Sequence, residues 1–452
     1  MPLTRWLAEY AWLPDHAEPT PDVLIEAEGG RITAVTPLVG GGAPAAGVEV
    51  LGDAVRLPGL TLPGLANAHS HAFHRALRGR THGGRGDFWS WRDVMYGVAS
   101  RLDPDSYLAL ARAAYAEMAL AGITCVGEFH YLHHGPEGRP YADPNAMSAA
   151  LVEAAAHAGI RITLLDTAYL TASVDGAELA GTQRRFGDGD ALRWAARVDG
   201  FRPENDHARL GAAIHSVRAV PAEQLATVAG WADRNGVPLH VHLSEQPAEN
   251  DACRAVHGCT PTRLLADHGV LGPHTTAVHA THPTSADVAL LGESRTGVCL
   301  CPTTERDLAD GIGPARRMAE AGSPLSLGSD SHAVVDLFEE ARAVELDERL
   351  RTRRRGHFSA AELVTAATVA GHAALGWGDA GRLSVGDRAD LVTVRLDSAR
   401  TAGVPPVGAF FAATAADVTN VVVDGRTVVA DGRHLTVDVP AELHSAIAAV
   451  TS

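Results

Sequence analysis

From Leu65 onward, apolar positions fall into short runs separated by longer Ala- and Leu-rich stretches of helical period. Eight such runs can be counted: Leu65–His69, Ile123–Gly127, Ile160–Leu165, Leu210–Ile214, Pro238–His242, Thr276–His279, Gly297–Leu300 and Pro324–Leu327. Between them, Tyr107–Ala121, Ala146–Ala158 and Ala222–Asn235 read as helices. Gly122, Gly159, Gly236 and Gly322 sit just past helix ends, where a left-handed residue is wanted. Strands alternating with helices eight times predict an α/β fold, a closed (β/α)8 TIM-type barrel. The flanks have a different pattern. Val23-Leu24-Ile25 and Ile32–Val35 bracket Gly29-Gly30 as a hairpin, and Gly40–Gly47 reads as a loop. After a helix at Ala360–Ala373, Gly381–Val392 is turn-rich and then apolar, and Val421–Val429 is a hairpin around Asp424-Gly425. The two ends are expected to pair into a small β-sandwich beside the barrel. The expected division is 1–62 and 381–452 for the sandwich and 63–380 for the catalytic barrel.

Composition narrows the partners. The chain has 452 residues and a net charge of −16, which argues against nucleic acid or an anionic membrane surface as partner. An anionic small-molecule substrate would need local arginines. The five cysteines are odd in number and show no paired-ligand spacing, as in a reduced, cytoplasmic protein. Met1–Ala11 lacks the pattern of a signal peptide, and no apolar run approaches the ~18 residues of a membrane span. A homodimer is expected.

The chemistry gathers at strand ends. In LPGLANAHSHAFH, His69 and His71 are one residue apart on an extended strand, so they point to the same side. Two neutral imidazoles aimed at one point make half of a zinc-type site. Strand four ends in His215, strand five runs His240-Val241-His242-Leu243-Ser244-Glu245, strand six ends in His279, and strand eight enters Gly328-Ser329-Asp330-Ser331-His332. Polar residues at the same end of so many barrel strands point to a metal centre.

This set resembles the amidohydrolase superfamily, in its deaminase and chlorohydrolase branch. The resemblance rests on PGLANAHSH, HLSE, GSDSH and the return motif GRLSVGDRADLV. It implies one divalent metal, usually zinc, on His69, His71, His242 and Asp330. No lysine stands at the end of strand four, where binuclear relatives carry a carboxylated one; His215 is there instead. The implied catalytic group is Glu245, His279, Asp330 and His215. The metal acidifies a water, Asp330 takes its proton, His279 holds the nucleophile, and Glu245 shuttles a proton to the departing nitrogen.

Further stretches narrow the resemblance. FWSWRDVMY, GEFHYLHH, HSVRAV, VHATH and CPTTERDLADG are similar to those of the formimidoylglutamate deiminase family of bacterial histidine degradation. Its substrate, N-formimino-L-glutamate, has two carboxylates and an amidine-type head. Two carboxylates call for bidentate arginine clamps, and Arg92 and Arg218 follow barrel strands, with Tyr131 as a nearby hydroxyl. Arg184 and Arg185 are weaker candidates, and Trp89 and Trp91 read as packing. Where some members carry Gln after His-Ser-His-Ala-Phe, this chain has His74, kept as a pocket residue together with His215. The rival readings are a purine or related heterocycle deaminase of the same branch and a non-catalytic scaffold on the same fold. The scaffold usually loses ligands, and here all four are present.

Overall fold

A computed structural model describes residues 3–38, 53–81, 88–203 and 206–451, with the backbone alone for 88–90. The expected Gly40–Gly47 loop and the Trp89 side chain lie outside the described residues. Among the described residues, sixteen strands form two sheets of eight. The barrel strands are β5 (Leu65–Ser70), β6 (Ile123–His130), β7 (Arg161–Ala168), β8 (Ala208–Ile214), β9 (Leu239–Leu243), β10 (Thr275–His279), β11 (Gly297–Leu300) and β12 (Leu325–Leu327). Each pairs in parallel with the next, and each coincides with one of the eight apolar runs. All eight residues of β6 and of β7 are buried, as parallel strands covered on both faces must be. This explains why the runs are continuous rather than alternating.

The barrel closes between β12 and β5 at a few atoms. Ser70 and Asp330 form a parallel bridge, the Asp330 amide donates to the His69 carbonyl at 3.0 Å, and the His71 amide donates to the Asp330 carbonyl at 3.3 Å. Asn67 straps the joint, accepting from the Ser329 amide at 2.9 Å and donating to Ser329 Oγ at 2.8 Å. Gly328 is required here, since a Cβ would come 2.7 Å from His69 Cβ and 3.0 Å from Cys301 Sγ. The seam of the barrel is therefore also the place where the histidine strand meets the aspartate.

The second sheet joins both chain ends. Before the barrel come β1 (Thr4–Ala11), β2 (Thr20–Glu28), β3 (Arg31–Pro37) and β4 (Val55–Pro63). After it come β13 (Leu391–Val394), β14 (Val418–Val423), β15 (Arg426–Ala430) and β16 (Arg433–His434). The order is β16-β15-β14-β13-β4-β1-β2-β3, with β13 antiparallel to β4. The two ends thus share one continuous sheet. Its own core includes Trp6, Ile25, Leu57 and Leu391. The return motif is the hinge to the barrel. Asp390 pairs with buried Arg161 at the start of β7 (2.9 Å), and its carbonyl accepts from the Gly64 amide at 3.1 Å. Two differences from expectation stand out. The helix at 360–373 contains a π turn at Ala366–Ala370, where Thr368 Oγ1 bonds the Val364 carbonyl at 2.7 Å. The C-terminal stretch ends in a helix, Val439–Thr451, that docks on the barrel helix Pro104–Leu120 through Arg112–Glu442 at 2.8 Å. No helix among the described residues is long and apolar enough to cross a membrane.

Candidate active site

His69 closes β5 next to Ser70, and His71 follows with extended backbone (φ −125°, ψ 94°), so the two rings share a side, 4.8 Å apart. His242 comes from β9, and Asp330 from the seam after β12. One nitrogen or oxygen from each of these four lies within 4.8 Å of the others, and all four residues are buried. His69 Nε2 and His71 Nε2 each stand 3.3 Å from Asp330 Oδ1, and His242 Nε2 stands 3.0 Å from His69 Nε2.

The surroundings decide what these atoms offer. His71 Nδ1–H donates to the Phe129 carbonyl at 2.8 Å, and His242 Nδ1–H donates to the His215 carbonyl at 2.9 Å. Both rings therefore turn an Nε2 lone pair inward. Burial pulls His69 down to about 3 and His242 well below the usual imidazole range, so both stay neutral. Burial pushes Asp330 up, but the imidazoles of His69, His71 and His279 around it outweigh that and hold the carboxyl well below its ordinary value. Three imidazoles and one carboxylate converge on one point. Ligands about 2.0–2.1 Å from a tetrahedral ion stand roughly 3.3–3.4 Å apart, close to the spacings here. The donor set fits a divalent metal. The chain has no lysine at all, so no carboxylated lysine can bridge a second ion.

The strand ends carry strain. His279, Asp330 and Ser244 have left-handed backbone, at φ 69°, 42° and 49°. Such conformations cost of order 1–3 kcal/mol each and collect where side chains must be aimed. His279 Nε2 sits 3.9 Å from Glu245 Oε1 and 3.8 Å from Asp330 Oδ2. Burial pulls His279 down, but Glu245, Glu305 and Asp330 outweigh it and lift the imidazole well above its usual range.

One cavity joins the rest. It is lined by His71, His242, Asp330, His279 and Glu245 together with His74, Arg92, Tyr131, His215 and Arg218. The residues read from the sequence as metal ligands, catalytic groups or principal substrate contacts all line it except the wholly buried His69, whereas the weaker candidates Arg184 and Arg185 do not. His74 Nε2 hydrogen-bonds Tyr131 Oη at 2.9 Å, and its ring packs on His71. Arg218 faces Glu249 at 3.1 Å and Glu245 at 3.6 Å. Trp91, expected only to pack, lines the cavity edge-on to His74.

Other sequence candidates go elsewhere. His240 has the same two-residue spacing to His242 but lies one layer deeper and bonds the Ala374 carbonyl at 2.9 Å. His133 and His134, from the same stretch as Tyr131, join a separate buried network with Asp166, Asp188 and Arg197. Arg185 is buried on the carbonyls of His134, Ala99 and Leu102, and Arg184 is exposed. Sequence reasoning missed Glu249, Tyr169 and Glu305. Glu249 holds the Ser244 amide at 2.8 Å as well as Arg218. Tyr169 follows β7 directly and stacks edgewise on His215, so its strand-end position was the available signal. Glu305 faces His279 Nδ1 at 3.5 Å, and no periodicity marks it.

Comparison with known proteins agrees with this arrangement. Formimidoylglutamate deiminase of Pseudomonas aeruginosa is 39% identical over 84% of this chain and 87% of its own length. A 5-methylthioadenosine/S-adenosylhomocysteine deaminase of Halobacterium salinarum is 31% identical over 94% and 92%. The crystal structure of an amidohydrolase from Brucella melitensis superposes with a TM-score of 0.88 at 32% identity, covering 99% of this chain and all of that one. The amidohydrolase family model matches residues 60–428, from the last strand before the barrel to the hairpin after it. A barrel whose seam carries the histidine pair and the aspartate, matched over that whole span, makes this chain a member of the metal-dependent amidohydrolase family.

Proposed function

We propose that this deaminase-type amidohydrolase hydrolyses N-formimino-L-glutamate to N-formyl-L-glutamate and ammonia, using one zinc ion held by His69, His71, His242 and Asp330. The observation that carries this reading is that Arg92 and Arg218 line the same cavity as the histidine–aspartate cluster and Glu245, with Arg218 3.6 Å from Glu245. When bound, the metal supplies a water acidic enough to attack at neutral pH. Asp330 would accept a proton from the attacking water at its carboxylate. His279, 3.8 Å from Asp330 Oδ2 and 3.9 Å from Glu245 Oε1, steadies the attacking oxygen. Glu245 carries a proton to the terminal nitrogen, which leaves as ammonia. Arg92, Arg218 and Tyr131 hold the two carboxylates, and His74 orients Tyr131 through their 2.9 Å hydrogen bond. A carboxylate seated on Arg218 replaces the 3.6 Å contact with Glu245 and frees that residue for proton transfer.

The rival reading, a heterocycle deaminase, draws on one feature. Trp91, Tyr96, Tyr131, Tyr169 and Phe186 also line the cavity, and rings suit a flat base. Two arginines in a chain of net charge −16 favour the dianion. Product analysis separates the cases. N-formimino-L-glutamate should yield N-formylglutamate and ammonia, and Arg218→Ala should lower kcat/KM by about 2–5 kcal/mol in barrier terms with metal content unchanged. Glutamate and formamide would overturn the proton assignment. Turnover of a purine and not of the amidine would move the reading to the heterocycle deaminases.

A further inference from the structure

The Asp330 carboxylate faces two clusters. Oδ1 looks toward His69 and His71 at 3.3 Å, while Oδ2 looks toward His279 Nε2 at 3.8 Å. A thiol stands close to this carboxylate and to His279. One donor atom each from His279, Cys301 and Asp330 lies within 4.8 Å of the other two, and all three residues are buried. Cys301 sits at the end of β11, its sulfur beside Gly328 and its amide bonded to Glu305 at 3.0 Å. His279 is surrounded by acid. Glu305 lies 3.5 Å from Nδ1, Glu245 lies 3.9 Å from Nε2, and Asp310 is close enough to feel its charge. The pocket thus combines a soft sulfur, an imidazole and clustered carboxylates, one of which is shared with the main site.

We propose that Asp330 Oδ2, His279 and Cys301 form a second, inhibitory site for a soft divalent cation such as zinc or cadmium. Sulfur and imidazole donors select these ions over magnesium or calcium. Binding forms one bond each to sulfur, nitrogen and oxygen. The thiol proton, and the imidazolium proton where present, pass to solvent. Zn–S near 2.3 Å and Zn–N near 2.0–2.1 Å require the three donors to draw together by no more than about an ångström. A carboxylate shared by two ions sets them roughly 3.5–4 Å apart. The second ion occupies His279 and Asp330 at once, so it blocks the groups that handle the attacking water. This differs from a lysine-bridged binuclear centre, which a lysine-free chain cannot build. The metal-binding part of the proposal does not depend on which amidine or base is the substrate.

The test uses holoenzyme carrying one zinc per chain. Cadmium is added while the thiolate-to-cadmium ultraviolet band, bound metal by dialysis, and ammonia release are followed. The wild type should take up a second ion, gain the band and lose activity together. Cys301→Ala should keep one zinc and its basal turnover, show no band, and need at least about tenfold more cadmium for inhibition, since a lost direct ligand costs no less than a lost outer partner. Cys253→Ala, on the helix Pro247–His257 outside this cluster, should behave as wild type. If Cys301→Ala does not fold, the anomalous cadmium signal in wild-type crystals decides the location. A wild type that binds no second ion, a band that persists in Cys301→Ala, or cadmium seated away from Cys301 would each overturn the proposal.

Discussion

Two clusters of buried histidines and carboxylates lie in the same barrel, and they differ in charge balance. Around β7, Asp166 accepts two bonds from Arg197 at 2.8 and 2.9 Å and a third from Trp194 at 3.0 Å. Asp188 accepts from Arg197 and from His134, both at 2.9 Å. His133 donates to the Thr167 carbonyl at 2.9 Å. Both carboxylates there have a cation of the chain itself. In the site cluster, the Asp330 fork holds no arginine among the described residues: Oδ1 faces His69 and His71 at 3.3 Å, and Oδ2 faces His279 at 3.8 Å. Removing a charge from water is tolerated only where another charge or a set of bonds replaces it. The β7 network meets that need internally, whereas in the site cluster the proposed metal ion would meet it. Residue types alone do not separate a structural network from a metal centre; the presence of an arginine in the fork does.

The sharpest way to break this contrast is Asp330→Ala. It removes the one carboxylate of the cluster and a proton acceptor, so activity should fall to background and zinc should be lost on dialysis. Full activity in a metal-depleted preparation of the wild type would sink the distinction altogether. Glu245→Gln keeps shape and metal but cannot carry the proton. Turnover should drop by roughly 10²–10⁴-fold with zinc content intact, and a near-normal kcat would remove Glu245 from the chemistry.

On the other side of the comparison, Arg197→Ala leaves Asp166 and Asp188 buried without their cation. Stability should fall by about 3–5 kcal/mol in denaturant titration. Zinc content and KM of the folded fraction should stay unchanged, and a selective loss of metal would show that the two clusters are not separate. The smallest effect is in pH. Burial, helped by Arg197, depresses His133 to about 4, so the unfolded chain binds its proton first. Its contribution is complete above pH 6.5 and is lost as pH falls toward 4. Asp166 is pushed up by burial but brought down to about 2 by Arg197. Its contribution is complete above 3.8 and lost toward 2. Each shift corresponds to roughly 2–3 kcal/mol. Acid unfolding of the metal-free chain should therefore proceed in these two windows. A stability that stays flat from pH 7 to 4 would contradict the His133 assignment.

Much was legible in the order of residues. The eight strands are marked by apolar runs because parallel strands are buried on both faces. His69 and His71 could be paired because alternate residues on an extended chain share a side. Glu245 and Asp330 were readable from short motifs at strand ends. The same rule misleads for His240 and His242, which share a side as well, yet only His242 reaches the open end. Depth along a barrel axis is a property of register with neighbours, here β8 and β10, and one strand's sequence does not contain it.

The sequence alone determined where the strands lie, which face each histidine takes, and which residues could be ligands, since these follow from local backbone geometry and burial, though β6 and β7 run three residues past the apolar runs that mark them. Tertiary structure decided the rest. It brought Asp330 to His69 across the seam, 261 positions away by number but bridged through Ser70. It sent His133 and His134 to a paired network and Tyr131 to the cavity. It set Glu249 behind Arg218 and Glu305 behind His279. Those contacts join elements distant along the chain, and their partners are selected by which charge each buried group meets in the packed barrel, a quantity that exists only once the chain is folded.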